Sequence, residues 1–106
     1  MALSTPAKIE VAAGAGSTEV HLHGDIDLLA EQELTARLGD LAALGDPLVI
    51  DMSNVTFLDS TGTRVLLIAQ RACDDAGTRI TLRAVPPAIR RTLEISELDT
   101  ILRITD

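Results

Sequence analysis

Tryptophan and tyrosine are absent from this sequence, Phe57 is its sole aromatic residue, and Cys73 is its sole cysteine. A chain with one aromatic ring offers no row of platforms on which successive bases could stack, which argues against single-stranded nucleic acid as a ligand. One cysteine can close no disulfide within the chain and can build no cysteine-based zinc cluster, which fits a reducing compartment. Cations are scarce too: nine Lys and Arg stand against sixteen Asp and Glu, a formal charge of -7. No basic field is available to neutralise phosphates, so direct DNA or RNA binding is not expected. The longest apolar run, Val65 to Ala69, is far too short to span a bilayer. The opening Met-Ala-Leu-Ser-Thr-Pro has neither a basic nor an apolar leader region. The expectation is a cytoplasmic chain with no membrane insertion.

What is present is ordinary globular sequence. Hydrophobic residues make up 46% and charged residues 24% of 106 residues, enough apolar surface for one core and far from the composition of disorder. A single domain over 1–106 is expected. Ile9 and Val11 lie at strand spacing, Gly14-Ala15-Gly16-Ser17 supplies turn residues, and Val20 and Leu22 alternate with His21 and His23, which together read as a hairpin. Leu34, Leu38, Leu41 and Ala42 recur at helical spacing between Leu28 and Leu44, with Glu33 and Arg37 placed to pair on the wet face. Leu48-Val49-Ile50 with Met52 is nearly continuous apolar sequence, the pattern of a mid-sheet strand covered on both faces.

After Val55-Thr56-Phe57-Leu58 come Asp59-Ser60, two good N-cap residues. Val65, Ala69, Ala72, Cys73 and Ala76 then form one helical face that stops at Gly77. Ile80, Leu82 and Ala84 alternate as a half-exposed strand, Pro86-Pro87 opens a short helix carrying Ile89 and Leu93, and the segment from Thr100 to Thr105 could be a last strand. Strands alternating with helices predict an α/β fold with crossover helices packed on the sheet.

Asp59-Ser60-Thr61-Gly62-Thr63 is the segment that can carry function. Its plainest use is a helix cap. Three hydroxyls within one turn and a glycine costing about 1 kcal/mol relative to Ala inside a helix suggest more, such as close approach by a partner backbone at Gly62. A helix start also favours an anion by roughly 0.3 to 1 kcal/mol, so phosphate on Ser60 would be compatible with the fold.

Asp59-Ser60-Thr61-Gly62, following Val49-Ile50-Asp51-Met52-Ser53-Asn54-Val55-Thr56-Phe57-Leu58, resembles the signature of the anti-sigma factor antagonists of the STAS domain family. Gly24-Asp25-Ile26-Asp27 resembles the family's turn after the second strand. Ala84 to Leu93 resembles its junction between strand and third helix. The resemblance implies a mixed sheet of four to five strands with about three crossover helices mainly on one side. It implies that the unphosphorylated chain binds an anti-sigma factor that is itself an ATP-dependent serine kinase, freeing a sigma factor for transcription. Phosphorylation of Ser60 then releases the partner, and a PP2C-type phosphatase resets the switch. The implied contact surface is Asp25, Asp27, Asp59, Ser60, Thr61, Gly62 and Thr63, with Asp59 supporting the acceptor.

This chain departs from the family at Thr63 and Arg64, where many members carry a hydrophobic residue and then a glycine, so partner recognition is expected to differ. Glu97 stands where a glycine is common. The chain stops at Asp106 without the family's last helix, so one flank of the sheet is expected to be thinner.

Other residues carry weaker signals. Asp27 can cap the first helix, contact a partner, or do both. His21 and His23 share a strand face but lack a third ligand, so no metal is expected. A Ser-His-Asp hydrolase would need a Gly-x-Ser-x-Gly elbow, which is missing. No phosphate-cradling glycine loop occurs, so no cofactor is expected and ATP belongs to the partner. Cys73 reads as a small buried hydrophobe, and Arg90 and Arg91 as a solvated helix edge. The alternative within the fold is a scaffold subunit of a lipid-transport or stress-signalling assembly that seats its partner without phosphate turnover.

Overall fold

The computed structural model describes residues 5–105; the ends of the expected domain, residues 1–4 and 106, lie outside the described residues. Strands β1 (Lys8–Ala13) and β2 (Thr18–Ile26) form the antiparallel hairpin the alternation predicts. Its turn closes with the Gly14 N–H donating to the Ser17 carbonyl at 2.8 Å, and Gly16 supplies the left-handed residue at φ +76.

Helix α1 (Glu31–Ala43) leads to β3 (Leu48–Leu58), helix α2 (Ser60–Asp75) to β4 (Ile80–Arg83), and helix α3 (Pro87–Ile95) with a 3-10 turn at Leu98–Thr100 to β5 (Arg103–Thr105). The five strands lie in the order β1-β2-β3-β4-β5, the first pair antiparallel and the remaining pairs parallel. This is the mixed sheet with three helices that the resemblance implies, within the α/β fold that the strand-helix alternation predicts, and Arg103–Thr105 is indeed a last strand.

One face of the sheet is covered. Val20, Leu22 and Ile26 of β2, Leu48, Ile50 and Met52 of β3, and Ile80 and Leu82 of β4 meet Leu34, Leu38 and Ala42 of α1, Val65, Leu66, Ala69 and Cys73 of α2, and Ile89 and Leu93 of α3. Each fully buried Val, Leu or Ile contributes about 1.5 to 3 kcal/mol relative to exposure, so this single cluster holds the layers together.

Two expectations are corrected. β3 is the middle strand, but it is covered on one face only: Val49 and Asp51 point to the open side, among Glu19, His21, Thr81 and Arg83, which are only partly buried. Its apolar run reflects Val49 on a half-shielded face, not a second helix layer. Glu33 and Arg37 are both exposed and form no ion pair; the carboxylate of α1 that finds a partner is Glu31.

Two irregularities shape the end of β3. The register slips between His21 and His23 and again between Gly24 and Asp25, so that β3 carries extra residues at Met52-Ser53 and at Thr56. Such bulges bend a strand and re-aim its side chains, and Phe57 is left 49% exposed. After α3, Glu97 takes the left-handed conformation at φ 61. A glycine adopts it at no steric cost, whereas a side chain there costs about 1 to 2 kcal/mol.

Candidate functional site

The site forms where β3 hands over to α2. Asp59 has extended backbone, and its Oδ1 accepts from the Gly62 N–H at 2.9 Å, the cap read from the sequence. Ser60 follows as the first helical residue. It is exposed, and its Oγ makes no hydrogen bond among the described residues. Thr61 is half-buried.

Gly62 and Thr63 turn inward. A Cβ on Gly62 would overlap the Ile26 carbonyl oxygen and lie 2.5 Å from Leu58 Cδ1. The glycine is therefore required by the end of β2, which crosses directly over the first turn of α2, and not by a partner's backbone as expected from sequence. Thr63 is buried and its Oγ1 donates to the Ser60 carbonyl at 2.7 Å, tightening the same turn. Of the seven expected contact residues, these two stand behind the surface.

Asp25 and Asp27 lie beside this turn because Ile26 pairs with Leu58 across the β2–β3 ladder. Their carboxylates are engaged locally. Asp25 Oδ1 accepts from Thr56 Oγ1 at 2.6 Å and Oδ2 from the Thr5 N–H at 3.2 Å, while the Asp25 N–H donates to the Thr5 carbonyl at 2.8 Å. Gly24, at φ +81, admits this crossing segment: a Cβ there would lie 2.8 Å from both the Pro6 carbonyl carbon and the Thr5 oxygen. The Gly24-Asp25 pair thus fastens the segment leading into β1 against the end of β3.

Asp27 is not the cap of α1. The helix starts at Glu31 with Ala30 as a cap lacking any side-chain bond, and Asp27 closes the preceding turn: its Oδ1 accepts from the Leu29 N–H at 3.1 Å and its carbonyl from the Ala30 N–H at 3.1 Å.

That turn leaves Leu28 68% and Leu29 91% exposed. Sequence reasoning missed this exposed apolar pair. The signal available was the adjacent Leu28-Leu29 pair, which cannot share one helical face. Between α1 and α2 runs a groove of about 630 Å³ lined by Leu28, Glu31, Thr35, Arg64 and Ile68. The Arg64 guanidinium crosses it, donating through Nε to Glu31 Oε2 at 3.0 Å and also through Nη2.

On the open sheet face, Asp51 accepts from the Ser53 Oγ at 2.6 Å and N–H at 2.9 Å and from Arg83 at 3.3 Å. Partial burial alone would raise its pKa above the ordinary 3.8; the Ser53 and Arg83 hydrogen bonds and the nearby His21 outweigh it and hold the carboxyl lower. Arg83 also donates to Glu19 at 3.2 Å. His23 Nε2 lies 2.7 Å from Glu10 Oε1, close but off the line of a hydrogen bond. Both histidines are thus neighbours of carboxylates, and among the described residues no three His, Cys, Asp or Glu side chains converge as a metal-holding group. Cys73 is buried on the inner face of α2, where desolvation and then Asp74 push its thiol pKa up. Arg90 and Arg91 are exposed. No helix among the described residues is long and apolar enough to cross a membrane.

A family model described as Mlab, STAS domain matches residues 9–104. The crystal structure of an anti-sigma factor antagonist from Mycobacterium paratuberculosis superposes with a TM-score of 0.85 at 30% identity, covering 96% of this chain and 89% of that one. The Bacillus cell fate determinant SpoIIAA in its phosphorylated form superposes with a TM-score of 0.70 at 18% identity over 93% of this chain and 92% of that one, a likeness of fold. A STAS-domain containing protein of Pseudomonas aeruginosa is 26% identical over 86 residues, 81% of this chain and 85% of its own length.

Proposed function

The chain belongs to the STAS domain family, and from that premise we propose that it is an anti-sigma factor antagonist whose binding is switched by phosphate on Ser60. The whole chain acts as one binding domain in this reading, with no catalytic role of its own. The observation that carries it is the placement of Ser60: an exposed hydroxyl at the first position of α2, behind the Asp59 cap, on the rim where the end of β2 crosses the start of that helix.

The unphosphorylated form docks this rim on an anti-sigma factor of the serine-kinase type and so frees a sigma factor. The partner supplies ATP and transfers its γ-phosphoryl group to Ser60 Oγ. A phosphate adds about -1.5 to -2 charges without disturbing the helix start. If it faces a partner carboxylate at about 4 Å, repulsion at an effective dielectric near 20 is on the order of 4 kcal/mol per charge pair before screening. Half of that lowers affinity more than tenfold. A PP2C-type phosphatase restores the binding form.

Incubation with the kinase-type partner, magnesium and ATP should add one phosphate by intact mass to the native chain and none to Ser60→Ala. Equal phosphorylation of Ser60→Ala defeats the proposal.

Thr63 and Arg64, which depart from the family's usual residues after the motif, favour a second reading in which the same rim seats a partner permanently as a scaffold subunit. That reading predicts a co-purifying complex that ATP does not dissociate.

A further inference from the structure

We infer that Arg64 is the positioning residue for the phosphate on Ser60, and that it leaves Glu31 to take up this role. The inference rests on Ser60 being the phosphate acceptor. Transfer breaks the bond between the γ-phosphorus and the bridging oxygen of ATP and forms the Ser60 Oγ–P bond; ADP departs and the hydroxyl proton passes to the kinase's base.

Arg64 follows Ser60 by four residues in α2, so the two side chains share one helix face and can meet. It is the sole cation between Thr56 and Ile68, a stretch that also holds Asp59 and abuts Asp25 and Asp27. In the unmodified chain its guanidinium is bound by Glu31, with both nitrogens directed at one carboxylate oxygen, Oε2. The Arg64 side chain remains 59% exposed there and that of Glu31 26%, so the pair is solvated and weakly held. A phosphate on Ser60 competes with more charge, near -2 against -1, and presents oxygens spaced for the two-pronged guanidinium contact that a single carboxylate oxygen cannot give.

The exchange has a consequence beyond Ser60. Glu31 stands at the start of α1 on the edge of the groove that Arg64 now crosses. When Arg64 turns to the phosphate, Glu31 becomes an unpaired carboxylate and the groove between Leu28 and Ile68 loses its bridge. One modification then changes two places on the partner-facing surface.

The test uses the full chain with phosphoserine incorporated at position 60 during synthesis, alone and combined with Arg64→Ala, Arg64→Lys or Glu31→Gln. Phosphorus NMR titration should show the phosphate dianion binding a proton about threefold more weakly in the native background than with Arg64→Ala, the lysine variant restoring part of the difference and Glu31→Gln enlarging it. The Glu31 side-chain carbon resonance of the phosphorylated chain should match that of unmodified Arg64→Ala. Identical phosphate titration with and without Arg64, or a Glu31 resonance unmoved by phosphorylation, overturns the inference. Because the phosphate is built in, such a result counts against Arg64 alone, whereas failure of the partner kinase to modify Ser60 counts against the switch.

Discussion

Replacing Gly62 by alanine sets two effects in opposition. Helix propensity favours alanine by about 1 kcal/mol. The new methyl, however, would meet the Ile26 carbonyl, which is backbone and cannot rotate away. Overpacking of this kind costs about 1 to 3 kcal/mol and the turn is already tight, so Gly62→Ala should destabilise the fold, read as a lower urea midpoint with an unchanged slope. A higher midpoint would show that β2 yields easily. Glu97 is the reverse case. Its left-handed backbone is one that glycine adopts without steric cost, and Glu97→Gly should stabilise the fold by up to about 1 kcal/mol after allowing for glycine's extra freedom when unfolded, read as a higher urea midpoint. At this scale the Asp59 cap was legible because donor and acceptor are three residues apart. The reason for Gly62 was not, because the atom that excludes a side chain comes from β2. Nor was the Glu31–Arg64 pair, whose members sit on different helices.

The hairpin was legible from its alternation and turn glycines, and α2 from its cap, apolar face and Gly77. α1 was placed three residues early because Leu28-Leu29 looks like helix sequence, whereas Asp27 folds that stretch into a turn and leaves both leucines exposed. The far bound of β3 was not legible beyond its apolar run because bulges at Met52-Ser53 and Thr56 break its period of two, while its ladder with β2 runs on. The open face of β2, β3 and β4 depends on pH through Asp51. Its folded pKa lies below the ordinary 3.8, so its contribution is fully present above that value and is lost as pH falls through the depressed one. The stability difference between the native chain and Asp51→Asn should therefore be largest near about pH 7 and shrink toward zero at about pH 2, in urea unfolding at each pH. A difference independent of pH would mean that the Ser53 and Arg83 contacts do not favour the ionised carboxyl.

As a whole molecule, the protein has one helix-covered sheet face that builds the core and one rim, at the ends of β2 and β3, where the segment leading into β1, the turn before α1 and the start of α2 converge. The family was legible from the Asp59 to Gly62 motif and its lead-in strand; composition and periodicity alone described only a well-capped helix in an α/β fold. The exposure of Leu28, Leu29 and Phe57 was not legible, because it depends on where a turn and a bulge aim side chains that local patterns assign to the interior. In the proposed switch the exposed leucines give the unmodified surface something to bury, and a phosphate on Ser60 is what would turn binding off. The most direct measurement is calorimetric titration of the kinase-type anti-sigma factor with the unmodified chain and with the chain carrying phosphoserine at position 60. The account predicts that phosphate weakens the complex more than tenfold; equal affinity of the two forms would contradict it.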